Sequence, residues 1–247
     1  MRILKEKEEQ LLKFCEEAPV ELIVNNTKLL TFMCTPKSLK ELAVGYLFTS
    51  GIVSSLEEIY TLGACDDMKK IFITLGKNVL KEDFRLNTVL ASSCGSGVQF
   101  TEDFYNKEIN NSPFSVNMED LKGLAKEMFS EAEMYKSHGG VHCSCIVDGK
   151  KILALREDVG RHNAVDKSAG KSVLLGVDFN DTALISTGRI SADMILKAVN
   201  IGIPIIATRS IPTSLALDIA KRFNITLIGR IASSRPAVYN GIERVEL

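Results

Sequence analysis

The sequence has no surplus of charge, no long apolar run and no internal repeat, and each lack closes off a class of function. Its 30 Lys/Arg offset 31 Asp/Glu to a formal net charge of −1, so no global field draws the chain to nucleic acid or to an anionic membrane. No stretch reaches the roughly 18 uninterrupted apolar residues of a membrane span, and the opening MRILKEKEEQ lacks the apolar core of a secretory signal. The expectation is a cytoplasmic protein without nucleic-acid or membrane partners. The C-x2-C knuckle of structural zinc sites is missing, as are the His-x-Glu and Pro-Cys-x-x-Cys patterns of zinc deaminases. Six cysteines in 247 residues make no disulfide scaffold, and in a reducing compartment most should be small buried apolar residues.

With 45% hydrophobic and 25% charged residues, the composition is that of a soluble globular protein of one or two domains. VELIVNNTKLLTFMCT places two β-prone runs around Asn25-Asn26, which tolerate the positive backbone angles of a tight hairpin. SLKELAVGYLFTSG then spaces Ser38 and Glu41 as a capping box, with Leu39, Leu42, Ala43, Tyr46 and Leu47 on one helical face and Gly51 as terminator. MKKIFITLGKNV reads as a strand. Residues 81–115 are rich in Asn, Ser and Gly, and a boundary is expected near Pro113, giving an α+β domain over 1–113 and a second domain over 114–247. Asn117 and Asp120 open a helix striped by Leu121, Leu124, Ala125 and Met128. VHCSCIVDGKKILALRED predicts a hairpin turning at Asp148-Gly149. From residue 181 a β-α-β-α-β alternation predicts parallel strands with helical crossovers, hence an α/β fold.

Ligands of open α/β sheets bind beyond the carboxyl ends of the strands. Those ends carry Thr187, Gly188 and Arg189, then Arg209 and Ser210, then Gly229 and Arg230, followed by Ser233, Ser234 and Arg235. Residues 187–247 hold eight Lys/Arg against four Asp/Glu. Helices starting near Ser191 and Thr213 would add backbone N–H groups and positive dipole ends. This rim reads as an anion site suited to a nucleotide, against the plainer alternative that Arg189 and Arg209 pair with nearby carboxylates.

His138, His142, Cys143 and Cys145 are all zinc-ligand types, yet on a strand the two cysteines face away from His142. Buried thiols and a hydrogen-bonded imidazole are the preferred reading. REDVGRHNAVDKSAGK crowds both charge signs around Gly160; it either lines a site, with His162 as proton carrier, or forms a paired-charge helix start capped by Asp158. Cys94 sits in SSCGSG, where glycines leave the sulfur accessible. A thiolate needs local positive charge, so Cys94 is either inert or served by a distant partner.

Taken together, ELAVGYLFTSGIV, SSCG, HGGVHCS, REDVGRHNAVDKSAGK, STGRISADMILKAVNIGIPIIATRSIPTSLALDIA and ITLIGRI resemble, in order and spacing, the formate dehydrogenase accessory sulfurtransferase family, FdhD. The resemblance implies a homodimeric sulfur carrier. Such a protein takes a persulfide from a cysteine desulfurase and passes sulfur to the molybdenum or tungsten of bis-molybdopterin guanine dinucleotide, on which formate dehydrogenase activity depends. It also implies a cytidine deaminase-like α/β C-terminal domain, without deaminase zinc chemistry, beside a smaller α+β N-terminal domain.

By position, the persulfide-bearing sulfur falls on Cys94 and the guanine-dinucleotide stretch on Arg230, Ile231, Ala232, Ser233, Ser234 and Arg235, with GDP or GMP as the partial ligand. His142, Arg161 and His162 are candidates for activating the thiol or contacting the cofactor. Two positions depart from the family. Gly97 stands where many relatives carry a second cysteine, so a two-thiol mechanism would need Cys143, Cys145 or another thiol; Ala232 stands where relatives often carry Arg, with Arg230 the candidate substitute. The alternative function is a chaperone that delivers the cofactor without transferring sulfur.

Overall fold

The computed structural model describes residues 14–65, 69–76, 88–89, 98–99 and 107–247. Strands β1 (Ala18–Val24) and β2 (Thr27–Cys34) form the hairpin, and its turn is possible because Asn25 and Asn26 take φ of 46° and 63°. With β3 (Ile59–Cys65) and β4 (Lys70–Leu75) they build a four-stranded sheet of order β2-β1-β4-β3. Val20, Leu22, Val24, Ile71, Ile73 and Leu75 alternate onto one face. There they bury the apolar stripe of α1 (Leu39–Thr49). The predicted capping box at the start of α1 does not form: Ser38 sits at φ 55° without a side-chain cap, and Glu41 is drawn instead into a two-pronged ion pair with Arg156. Charge-assisted bidentate bonding outweighs a lone cap.

Strand β5 (Thr88–Val89) pairs antiparallel with β6 (Val98–Gln99). Strand β7 (Val116–Asn117) leads into α2 (Met118–Glu131), where the Asn117 side chain accepts from the amides of Glu119 and Asp120, and α3 (Glu133–His138) follows.

Strands β8 (His142–Val147), β9 (Ile152–Asp158), β10 (Ala183–Ser186), β11 (Ile205–Thr208), β12 (Thr226–Gly229) and β13 (Ala237–Asn240) make a six-stranded sheet of order β13-β12-β11-β10-β8-β9. β10, β11 and β12 run parallel, as the alternation predicted. Helices α4 (Arg161–Leu174), α5 (Ala192–Ile201) and α6 (Ser214–Arg222) follow β9, β10 and β11. Hydrophobic residues of α5 and α6 cover one face through Ile146, Leu184, Ile206 and Leu227. α2 covers the other, where Cys143, Cys145, Ile185, Ala207 and Ile228 point. Strand β14 (Val245–Glu246) pairs with β7. The mixed α/β reading therefore holds. Among the described residues no helix is long and apolar enough to cross a membrane.

The two sheets are joined where α1 crosses α4 at Gly45 and Gly170, backbone against backbone. Three ion pairs reinforce the joint. Arg156 holds Glu41, Lys167 holds Asp158 at 2.6 Å and the Thr35 carbonyl at 2.7 Å, and Lys197 holds Asp166 at 2.7 Å while Asp166 also accepts from Thr49. Most of the charge cluster in REDVGRHNAVDKSAGK thus faces inward as connection between the sheets. The paired-charge reading of that motif is correct for Arg156, Asp158, Asp166 and Lys167, with Gly160 rather than Asp158 at the N-cap.

Candidate functional site

Strand polarity brings the chemistry to one rim. β9, β10, β11 and β12 all end there, while β8, antiparallel to both β9 and β10, begins there with His142. Thr187, Gly188 and Arg189 follow β10, Arg209 and Ser210 follow β11, and the turn from Arg230 to Arg235 follows β12. Backbone bonds lock these turns together: Thr187 N donates to Cys143 O, Arg209 N to Ser186 O, Arg230 N to Ser210 O at 2.8 Å and Ile231 N to Thr208 O at 3.0 Å. Ile231 is buried in the core and anchors its turn. Ser233, Ala232, Ser234 and Arg235 remain at least partly exposed. Arg230 holds φ 55°, a left-handed conformation that costs a non-glycine residue about 1 kcal/mol or more and tends to persist where a turn is put to use.

The four guanidiniums of Arg189, Arg209, Arg230 and Arg235 are exposed, and none forms an ion pair with another described residue. The plainer alternative of paired arginines fails here. Arg209 instead donates to the Tyr135 hydroxyl.

Gly188 has a specific task. A Cβ there would stand 2.7 Å from Arg161 Cδ and 2.8 Å from its Cβ, so the bare glycine makes room for the Arg161 stem. Beside it, Thr187 Oγ1 accepts from Cys143 N at 3.2 Å, lies 3.3 Å from the Cys143 carbonyl and shares a hydrogen bond of 3.1 Å with His142 Nδ1. Burial, then the charges of Arg161 and His162, lower the pKa of His142, so it is neutral near pH 7. His162 Nε2 lies against Asp193 Oδ2. Burial pushes the Asp193 carboxyl up, but its contact with His162, the hydroxyl of Ser191 and the nearby Arg161 outweigh it and hold the group below the usual carboxylate range.

Asp193 escaped the sequence reading, because an acid in a helix's first turn signals only a favourable dipole contact. Helix starts depart from expectation too. Thr213 caps α6 through Ala216 N, whereas Ser191 spends its hydroxyl on Asp193 and Gly160 at the start of α4 has no side chain to offer.

Cys94 lies outside the described residues, in sequence between β5 and β6. Burial pushes the Cys34 and Cys143 thiols up to about 12 and Cys145 well above its ordinary value. Cys143 and Cys145 are fully buried on the α2 side of the sheet, with His142 directed to the rim, as strand alternation predicted. Neither meets the needs of a second reactive thiol. All three should resist a thiol reagent in the native protein at pH 8, as read by peptide mass mapping. Because their pKa values are raised by folding, the stability they contribute is complete below about pH 9, the ordinary thiol value, and is lost as pH rises through about 12.

An open α/β sheet whose rim carries four guanidiniums without an ion pair among the described residues, joined by α1 to a second sheet, is the class of protein these observations define. Residues 15–246 match the model of the FdhD/NarQ family, and the chain belongs to that family. It is 32% identical over 232 residues to "Sulfur carrier protein FdhD" of Bacillus subtilis (strain 168), covering 93% of this chain and 88% of that one. It is 33% identical to the protein of the same name from Shouchella clausii, covering 94% and 89%. A solved structure from Desulfotalea psychrophila, described as a formate dehydrogenase accessory protein, superposes with a TM-score of 0.78 at 27% identity, over 94% of this chain and 90% of that one.

Proposed function

We propose that this protein is a sulfur carrier serving formate dehydrogenase. Cys94 accepts a persulfide from a cysteine desulfurase, and the sulfur is passed to the molybdenum or tungsten of bis-molybdopterin guanine dinucleotide, which is the bound substrate. The observation that carries this reading is membership of a family whose relatives are named sulfur carriers, over nearly the whole chain. The rim supports it chemically. Unpaired guanidiniums at Arg189, Arg230 and Arg235, with hydroxyls at Thr187, Ser210, Ser233 and Ser234, suit the phosphates of guanine-nucleotide ends. Arg230 takes the cationic role at this turn, where Ala232 has no charge.

The same reading treats the six-stranded sheet as cytidine deaminase-like, and the protein as a cytoplasmic homodimer. Cys34, Cys143 and Cys145 are buried and Gly97 stands where many relatives carry a second cysteine, so a second thiol would have to come from Cys15 or Cys65, the described cysteines that are only half-buried; loading itself needs Cys94 alone. In loading, the Cys94 thiolate attacks the outer sulfur of the desulfurase persulfide. A new S–S bond forms as the old one breaks, and the desulfurase cysteine leaves as thiolate.

Incubation with a cysteine desulfurase and cysteine should add about 32 Da per sulfur to the intact mass of the wild type, removable by reductant and absent from Cys94→Ala. No gain in the wild type, with a desulfurase shown to load another acceptor, would favour a chaperone that delivers the cofactor without transferring sulfur.

A further inference from the structure

At the amino end of β10, away from the rim, the seam between the two sheets opens into a groove of about 350 Å³. Phe48 of α1 and Val53 line it on one side with Leu56, which opens the 3-10 turn Leu56–Glu58. Val173 of α4, Ile201 at the end of α5 and Phe179, just ahead of β10, line the other. Leu56 is 41% exposed, and beside Val173 the α4 end leaves Leu174 and Leu175 45% and 60% exposed, more apolar surface than an isolated exposed leucine presents. The charge around the groove is negative. Asp178 is the one charged residue among those lining it, Lys171 and Lys107 lie outside the lining, and Glu57, next to Leu56, is exposed. Neither Glu57 nor Asp178 forms an ion pair with another described residue. Cys94 stands in sequence between Gly76 and Lys107, and both of these are tied beside the groove. Gly76 N donates to the Glu58 carbonyl at 3.0 Å. Lys107 Nζ donates to Oδ1 of Asn200, a lining residue whose own amide donates to the Thr49 carbonyl at 2.7 Å.

We infer that this groove is the docking surface of the persulfide donor, and that it seats an apolar segment of that protein flanked by Lys or Arg. The assignment rests on the proposed reading of Cys94 as the thiol that the donor loads. A buried aliphatic or aromatic anchor in an apolar pocket is the usual centre of a protein interface, and the walls supplied by Leu56, Phe179 and Ile201 suit one. Unpaired carboxylates at the margin select a basic partner, because charge at the edge of an interface steers encounter and rejects partners of like sign. The donor fits this place better than the acceptor enzyme does. A donor has to reach Cys94 alone, whose chain segment starts and ends beside the groove, whereas an acceptor has to face the rim where the cofactor is held.

The test is the rate of sulfur gain on the full chain, read by intact mass at increasing carrier concentration, for wild type, Leu56→Arg and Glu57→Lys. Both positions are exposed, so either variant serves if the other fails to fold. Two donors are compared, a cysteine desulfurase with cysteine, and sodium polysulfide, which needs no docking. With polysulfide the Cys94 thiolate attacks an S–S bond, a new S–S bond forms and the shortened polysulfide leaves. With the desulfurase, Leu56→Arg should raise the carrier concentration for half-maximal rate about tenfold or more at an unchanged maximal rate. Glu57→Lys should raise it less, and by a factor that shrinks as salt is added. Polysulfide should load all three proteins alike. Desulfurase loading unaffected by both variants would overturn the groove and leave the sulfur-carrier reading intact. So would an equal loss with both donors, which would mean that the changes act on Cys94 itself. Unaffected loading with lost activation of formate dehydrogenase would give the groove to the acceptor instead, and an altered oligomeric state of Leu56→Arg in gel filtration would give it to a second copy of this chain; either overturns the assignment to the donor. A wild type that gains no sulfur from an active desulfurase would overturn the sulfur-carrier reading, and the docking surface with it.

Discussion

Gly170→Ala and Gly45→Ala should each destabilise the protein by about 3 kcal/mol, at the upper end of the cost of over-packing, and should lower the urea midpoint accordingly. At Gly45 the added methyl would fall 2.8 Å from Gly170 N and closer still to the Asp166 carbonyl. At Gly170 it would fall 2.7 Å from Gly45 N and closer still to the Glu41 carbonyl. The obstacles are backbone atoms of a partner helix, which no rotamer change can move. Relief requires α1 and α4 to separate, and that separation would pull on Glu41–Arg156 and Thr49–Asp166, the polar contacts beside the crossing. Gly123 supplies the control. It is a helical glycine on the exposed side of α2 whose Cβ would meet nothing within 4 Å, so Gly123→Ala should stabilise by up to about 1 kcal/mol through helix propensity and a less flexible unfolded chain. Similar loss at all three glycines would show that the crossing is not close-packed.

That crossing also marks the limit of what the sequence reveals. Elements whose cause is local were legible: the Asn25-Asn26 hairpin, the Asn117 cap, the β-α-β-α-β run and the inward-facing Cys143 and Cys145 all follow from neighbours a few residues away. The rim followed as well, because strand polarity places Thr187, Ser210 and Arg230 without knowledge of side-chain partners. What stayed hidden depends on contacts between distant segments. Glu41 looked like half of a capping box until Arg156, far along the chain, claimed it. Asp193 gives no sign in sequence that His162 is its partner, and Gly188 reads as a turn residue although its role is to seat the Arg161 stem.

Asp158→Ala should be the most damaging single change in the polar joint, with an expected loss of about 3–5 kcal/mol. Asp158 is fully buried and its two oxygens serve four donors. Oδ2 accepts from Lys167 Nζ at 2.6 Å and Thr35 N at 3.1 Å; Oδ1 accepts from Gly160 N at 2.8 Å and Asn163 Nδ2 at 3.0 Å. Its removal strands a fully buried ammonium whose one remaining partner among these is the Thr35 carbonyl, and an uncompensated buried charge is far costlier than a missing neutral bond. Lys167→Met should cost less. The Asp158 carboxylate would keep three N–H donors, and the methionine would fill most of the vacated volume. The double variant should then lose less than the sum of the two single losses, since the stranded ammonium disappears once both partners are replaced. Additive losses in the double variant would mean that Asp158 and Lys167 act separately, and the joint would then rest on the helix crossing alone.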